Sequence, residues 1–82
     1  MAKKKAIHKV EFKNLKNYWG WAYPEENRIE LSHELKGYSF LLYALHEHYH
    51  LKHPEWSETR VRRESSKTAR FLWGLNFRWV DI

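Results

Sequence analysis

The chain contains no cysteine in its 82 residues. That excludes a disulfide framework and any thiolate metal site, so a metal ion here must be held by histidine and carboxylate. The lack of thiols is compatible with a reducing cytosol. No apolar run approaches the roughly 18 residues that a membrane span requires. Met1-Ala2-Lys3-Lys4-Lys5 is positively charged, but no hydrophobic segment follows it, so no secretory signal is expected. No internal repeat, low-complexity tract or linker interrupts the chain. These absences predict a single domain over residues 1–82, with no membrane segment and a cytoplasmic location, and with residues 1–6 as a disordered basic arm.

The formal net charge is +5 and 17% of the residues are aromatic, five of them tryptophan. Basic charge beside exposed aromatics suits nucleic acid. The ordinary reading is that a small domain packs its core with aromatics and keeps a charged, soluble surface, and composition alone favours it.

Hydrophobic periodicity divides the chain. Residues 7–12 read as a short strand with Val10 and Phe12 facing inward, and residues 14–17 as a turn. Tyr18-Trp19-Gly20-Trp21-Ala22-Tyr23 is rich in strand-favouring residues. Pro24-Glu25-Glu26-Asn27 has turn chemistry, with Pro early and Asn able to take a positive φ. Arg28-Ile29-Glu30-Leu31 alternates polar and apolar, as a half-buried strand does, so residues 18–31 predict a β-hairpin. From Tyr38 the period lengthens. Tyr38, Leu41, Leu42, Leu45 and Tyr49 form one apolar stripe of a helix, which Pro54 ends near Leu51 or Lys52. Ser57 and Glu58 look like the N-cap and first residue of a second helix. Val61, Ser65, Thr68, Ala69 and Leu72 form its inner face, and Gly74 is placed to stop it. The tail around Leu75, Phe77 and Trp79 reads as a short strand or a packed extended segment. The expected fold is α+β: a β-hairpin or three-stranded antiparallel sheet packed on two antiparallel helices.

The first helix carries His46-Glu47-His48-Tyr49-His50, an H-E-x-x-H motif. Residues four apart share a helix face, so His46 and His50 can aim two imidazoles at one ion. On a wheel with Tyr38 at zero, they fall at about 80° and 120°, the rim of the apolar stripe, and Glu47 near 180° on the open side. Glu47 then stands where a carboxylate can take a proton from a zinc-activated water, the arrangement of zinc peptidases. With six His and nine Glu in 82 residues, the motif is expected by chance about 0.05 times, so its context must be helical and must supply a third ligand.

Three residues compete for that role. His53 would lie about 10.5 Å along the axis from His46 if the helix continued, although Pro54 bends the chain there. Glu58 opens the second helix after a tight return, which brings it back over the first. Glu64 lies two turns further along. Glu58 is the leading choice, ahead of His53, Glu64 and a site with no third protein ligand. A carboxylate in a helix's first turn has an ordinary role too, favouring the dipole by about 0.3–1 kcal/mol.

The order Ile29-Glu30-Leu31, then Leu45-His46-Glu47 to His50, Pro54, Ser57-Glu58, and Leu72-Trp73 with Asn76-Phe77-Arg78 resembles small, mostly phage-encoded HExxH proteins loosely related to SprT-like zinc peptidases. The resemblance covers about 50 residues, from Arg28 to Arg78. It departs from their pattern at Asn76, where a glycine is usual, with Gly74 two residues earlier. The further downstream histidine of SprT-like domains has no counterpart here. The resemblance implies a minimal zincin core that binds Zn2+.

The functional expectation is peptide-bond hydrolysis, with His46, His50 and Glu58 on the metal, Glu47 as general base, and a peptide or protein substrate. Strand 28–31 would offer its edge to that substrate. The rival is a non-catalytic, zinc-stabilised phage protein that binds a host protein or nucleic acid. Arg60, Arg63, Lys67 and Arg70 cluster within about 80° on the second helix, by default a solvated face. His8, His33 and His48 have no helical partner at metal spacing and read as ordinary histidines. Tyr43 falls near both metal histidines, as a packing neighbour or an oxyanion donor.

Overall fold

A computed structural model describes residues 9–79. The basic arm expected at residues 1–6 lies outside the described residues. The elements follow in the order β1 (Lys9–Lys13), β2 (Gly20–Tyr23), a single 3-10 turn (Pro24–Glu26), β3 (Arg28–Ser32), α1 (Gly37–Lys52) and α2 (Glu58–Gly74). The architecture is α+β.

Strands β2 and β3 form the expected hairpin, pairing antiparallel with Gly20 opposite Leu31 and Tyr23 opposite Arg28. Asn27 closes the turn at φ 51°, a left-handed conformation that asparagine tolerates. The sheet is mixed rather than purely antiparallel. β1 lies parallel to β3, Val10 opposite Ile29, and the strand order is β1-β3-β2. β3 is therefore central, and its edges are already taken by its two neighbours. The expectation that residues 28–31 present a free edge is corrected: the edge strands are β1 and β2.

Ile29 and Leu31 are almost completely buried and form the core with Leu51, packed by Ala22, Leu35, Phe40, Tyr43 and Ala44. Glu30, on the other face of β3, is also buried. Its carboxylate accepts from Arg28 at 2.5 Å and lies 3.6 Å from the Lys13 ammonium, so the charge is paired rather than stranded. Val10 and Phe12 share the core-facing side by register but remain 42% and 46% exposed. Helix α1 packs chiefly over β2 and β3 and reaches β1 through Phe40, whose ring stacks on Phe12 at 6.0 Å. Their direction was legible, their burial was not.

The helices are antiparallel, as expected. Tyr38 near the start of α1 meets Trp73 near the end of α2 edge-to-face at 5.5 Å. The Tyr49 and Thr68 hydroxyls lie 2.9 Å apart midway. Val61, Ser65 and Ala69 are fully buried, and the small side chains of the last two allow close approach. Helix α1 thus has packed surfaces on both sides: Leu41, Leu42, Leu45 and Tyr49 lie on the stripe read from sequence, while Phe40, Tyr43, Ala44, Glu47 and Leu51 line the sheet side.

The end of α2 corrects one expectation. Gly74 is still helical, and the left-handed residue is Asn76, at φ 70°. The Phe77 N–H donates to the Leu72 carbonyl at 3.1 Å and the Asn76 N–H to that of Trp73 at 3.0 Å. That pair is a Schellman motif, whose left-handed position favours Gly or Asn. Residues 77–79 beyond it belong to no helix or strand. Trp79 packs its ring on Phe40 at 4.8 Å, and Arg78 lies over the Trp73 ring at 3.6 Å.

Replacing Asn76 with Ala should therefore lower unfolding free energy by about 1 kcal/mol, while Asn76→Gly should leave it unchanged or raised. Urea denaturation of the three proteins checks this, and equal losses for both substitutions would show that the backbone conformation is not the cause.

Candidate metal centre

Helix α1 positions His46 and His50 on adjacent turns of one face, with ring centroids 4.8 Å apart. The second helix begins where Ser57 caps it, its hydroxyl accepting from the Arg60 N–H at 3.1 Å. Pro54 and the short turn before Ser57 bring Glu58, the first helical residue, back over α1. Its carboxylate meets both rings. Oε2 lies 3.2 Å from His46 Nε2, and Oε1 lies 2.9 Å from His50 Nε2. Arg62, one turn further along α2, reaches Oε2 at 3.1 Å.

One ligand atom from each of His46, His50 and Glu58 lies within 4.8 Å of the other two, and this is the only such group of three among the described residues. Two imidazole nitrogens and one carboxylate oxygen match the donor set of zinc. Donors bound to one tetrahedral ion stand about 3.3 Å apart, as bond lengths near 2.0–2.2 Å dictate. The two His–Glu distances, 3.2 and 2.9 Å to different carboxylate oxygens, are hydrogen-bonding distances that lie near that spacing. Nitrogen donors disfavour magnesium and calcium, whereas other divalent transition ions fit the same set.

The other candidates lie elsewhere. His53 caps the end of α1 and stacks on Trp56 at 3.9 Å with the rings nearly parallel. Glu64 pairs with Arg63 and Lys67 at 3.5 and 3.7 Å. His33 and His48 are outside the group, and His8 is outside the described residues. Tyr43 stands 6.3 Å, ring to ring, from His46 and packs on the core.

Glu47 differs from its expected place. The helical wheel puts it on the open side of α1, yet it is only 7% exposed. Its chain lies against β2, where a Cβ added to Gly20 would come within 2.9 Å of Glu47 Cγ. A wheel drawn around one stripe misses this because α1 is packed on two sides. The signal was present: Phe40, Tyr43, Ala44 and Leu51 recur at helical spacing, and only Glu47 breaks that second apolar stripe.

Burial sets the electrostatics. It pushes Glu47 up to about 7, with the charge of Glu58 adding to the effect. Burial likewise lowers the pKa of His46, against the opposing pull of Glu58. For Glu58 burial acts upward, but His46, His50 and Arg62 together hold its carboxyl below the usual range. A carboxylate poised near neutrality suits proton transfer at physiological pH.

Two cavities of about 470 and 410 Å³ open on either side of the cluster, and both are lined by Gly20, His46, Glu47 and Glu58. Glu47 and the donor group are thus reachable from two directions along β2. No family model, curated protein or solved structure matches the chain.

The Glu47 shift has a stability consequence. Its folded-state pKa lies above the ordinary 4.5, so its contribution is fully present below about pH 4.5 and is lost as pH rises through about 7, by at most about 3 kcal/mol. In metal-free protein, Glu47→Gln should match the wild type near pH 4 and exceed it by about 1–3 kcal/mol at pH 8. Chemical denaturation in chelator at the two pH values tests this. A difference independent of pH would mean that Glu47 ionises as freely in the fold as outside it.

Proposed function

We propose that the protein is a zinc-dependent metallopeptidase built on a minimal zincin core. The observation that carries the reading is the convergence of His46, His50 and Glu58 from two helices, with the buried Glu47 carboxyl beside them. Glu58 also links α2 to α1 through its contacts with both histidines, but a buried carboxyl set near a carboxylate is costly for stability alone.

In this reading His46 Nε2, His50 Nε2 and one Glu58 oxygen hold the ion. Held there, zinc would supply a bound water of lowered pKa and would polarise the carbonyl of the scissile bond. Glu47 accepts the proton of the attacking water and returns it to the departing amine, which its position near neutrality favours. The β2 edge, which passes Gly20 in front of Glu47, supports an extended substrate through main-chain hydrogen bonds. Arg62 pairs with Glu58 Oε2, the oxygen that also meets His46, and so steadies the carboxylate beside the histidines.

A second reading is favoured by one observation. Glu58 joins the start of α2 to α1, so an ion at this point also clips the helices together. In that reading the protein is a non-catalytic, zinc-stabilised phage factor that binds a host protein or nucleic acid.

The test is hydrolysis of a quenched fluorescent peptide library by zinc-loaded protein. The peptidase reading expects Glu47→Gln to cut the rate by about 10²–10⁴-fold while binding zinc as the wild type does. Unchanged turnover in that variant, or no turnover by the zinc-loaded wild type, would favour the non-catalytic reading.

A further inference from the structure

We propose that Tyr18, Trp19, Leu42 and Tyr43 form a pocket that selects an aromatic side chain of an extended peptide bound beside the candidate metal centre. The binding claim stands on the cavity itself, and only the cutting of that peptide rests on the peptidase reading.

The four residues line the larger cavity, of about 470 Å³, which reaches His46, Glu47 and Glu58. That volume lies within the range of sites that take small ligands, and apolar walls with a few converging polar groups are their usual form. The rings continue without a break toward the centre. Trp19 lies 6.3 Å from Tyr43, and Tyr43 lies 6.3 Å from His46. These spacings fit the offset and tilted geometry that aromatic pairs prefer, so an added ring has partners on more than one side.

Tyr43 also packs against the core, but Tyr18 and Trp19 do not serve it. Trp19 is 47% exposed and Tyr18 is 41% exposed, although core packing is the ordinary reason for such residues. Trp21, 52% exposed, lines the other cavity and lies 5.3 Å from Tyr18. Contiguous exposed aromatics beside a cavity mark an interaction site. The nearest strand, β2, is an edge strand with a free side, the geometry that an extended peptide uses.

The charges choose among occupants. Among the described residues that line this cavity the one Lys or Arg is Arg62, which is paired with Glu58, and the two acids are Glu47 and Glu58. Single-stranded nucleic acid stacks on aromatics but also needs a basic track for its backbone; the lysines near Trp19, Lys16 and Lys36, line separate neighbouring cavities, and this one holds a single compensated arginine. A lysine or arginine side chain finds no acid in the pocket other than those of the metal centre. An uncharged aromatic side chain meets neither obstacle.

Blocked pentapeptides of alanine with Phe, Ala or Lys at the centre would be titrated into zinc-loaded protein. The reporter is the Trp19 indole N–H resonance, identified by its loss in Trp19→Phe. The Phe peptide should bind at least about tenfold more tightly than the Ala peptide, as burial of a full aromatic side chain implies, and the Lys peptide no better than Ala. Trp19→Ala should remove the preference, and Trp19→Phe, followed through backbone amides, should keep it. Equal affinities for the Phe and Ala peptides in the wild type would overturn the pocket, as would a preference that survives Trp19→Ala. Tighter binding of a single-stranded oligonucleotide at the same resonance would overturn it in favour of nucleic acid. Following the same peptides for cleavage separates the two claims: preference without cleavage supports the pocket and counts against the peptidase, while cleavage without preference does the reverse.

Discussion

At residue 20 the edge strand has no side chain, and into that space helix α1 packs the stem of Glu47. A methyl group there would press on the Glu47 chain at 2.9 Å and approach the Glu30 carbonyl at 3.1 Å. The site depends on this close approach. It lets α1 lie directly on β2, which buries a carboxyl beside two histidines and leaves a cavity open on each side. The sheet supplies one wall, α2 supplies Glu58, and α1 stands between them with both long sides in contact.

This middle position explains which parts of the molecule were legible in sequence. The hairpin, both helices, the Ser57 cap and the helical presentation of His46 and His50 follow from local patterns, each dominated by neighbours within about a turn. Glu58 was reachable because Pro54 and Ser57 bracket a short return. What local pattern misses is long-range. The parallel pairing of β1 with β3 is set by contacts across some twenty residues, and no turn between those strands announces it. Gly74 is the last helical residue of α2, but the left-handed residue that closes the Schellman motif is Asn76, two positions later. The aromatics at Trp19 and Trp21 read as strand formers, and the exposure of Trp21 follows from its register with Glu30, on the face of the sheet away from the core.

Electrostatics link the same residues. Glu58 is stabilised in its ionised form by the two histidines and Arg62, whereas Glu47 is destabilised in its ionised form by burial and by Glu58. The two carboxyls are therefore pushed in opposite directions by neighbouring surroundings, a common way for one site to obtain an acceptor of charge and an acceptor of protons. A divalent cation between the histidines and Glu58 would ease the ionisation of Glu47 by the same Coulomb logic.

The central claim is that these three side chains form one metal site. The most direct measurement is zinc content per chain by elemental mass spectrometry, on protein purified without a histidine tag and supplied with zinc, for the wild type and Glu58→Ala. The account predicts about one zinc per wild-type chain, from a single three-donor site, and a large loss in the variant. Absence of zinc from the wild type would reduce H-E-x-x-H to a coincidence on a histidine-rich helix, and full retention by Glu58→Ala would contradict the ligand set.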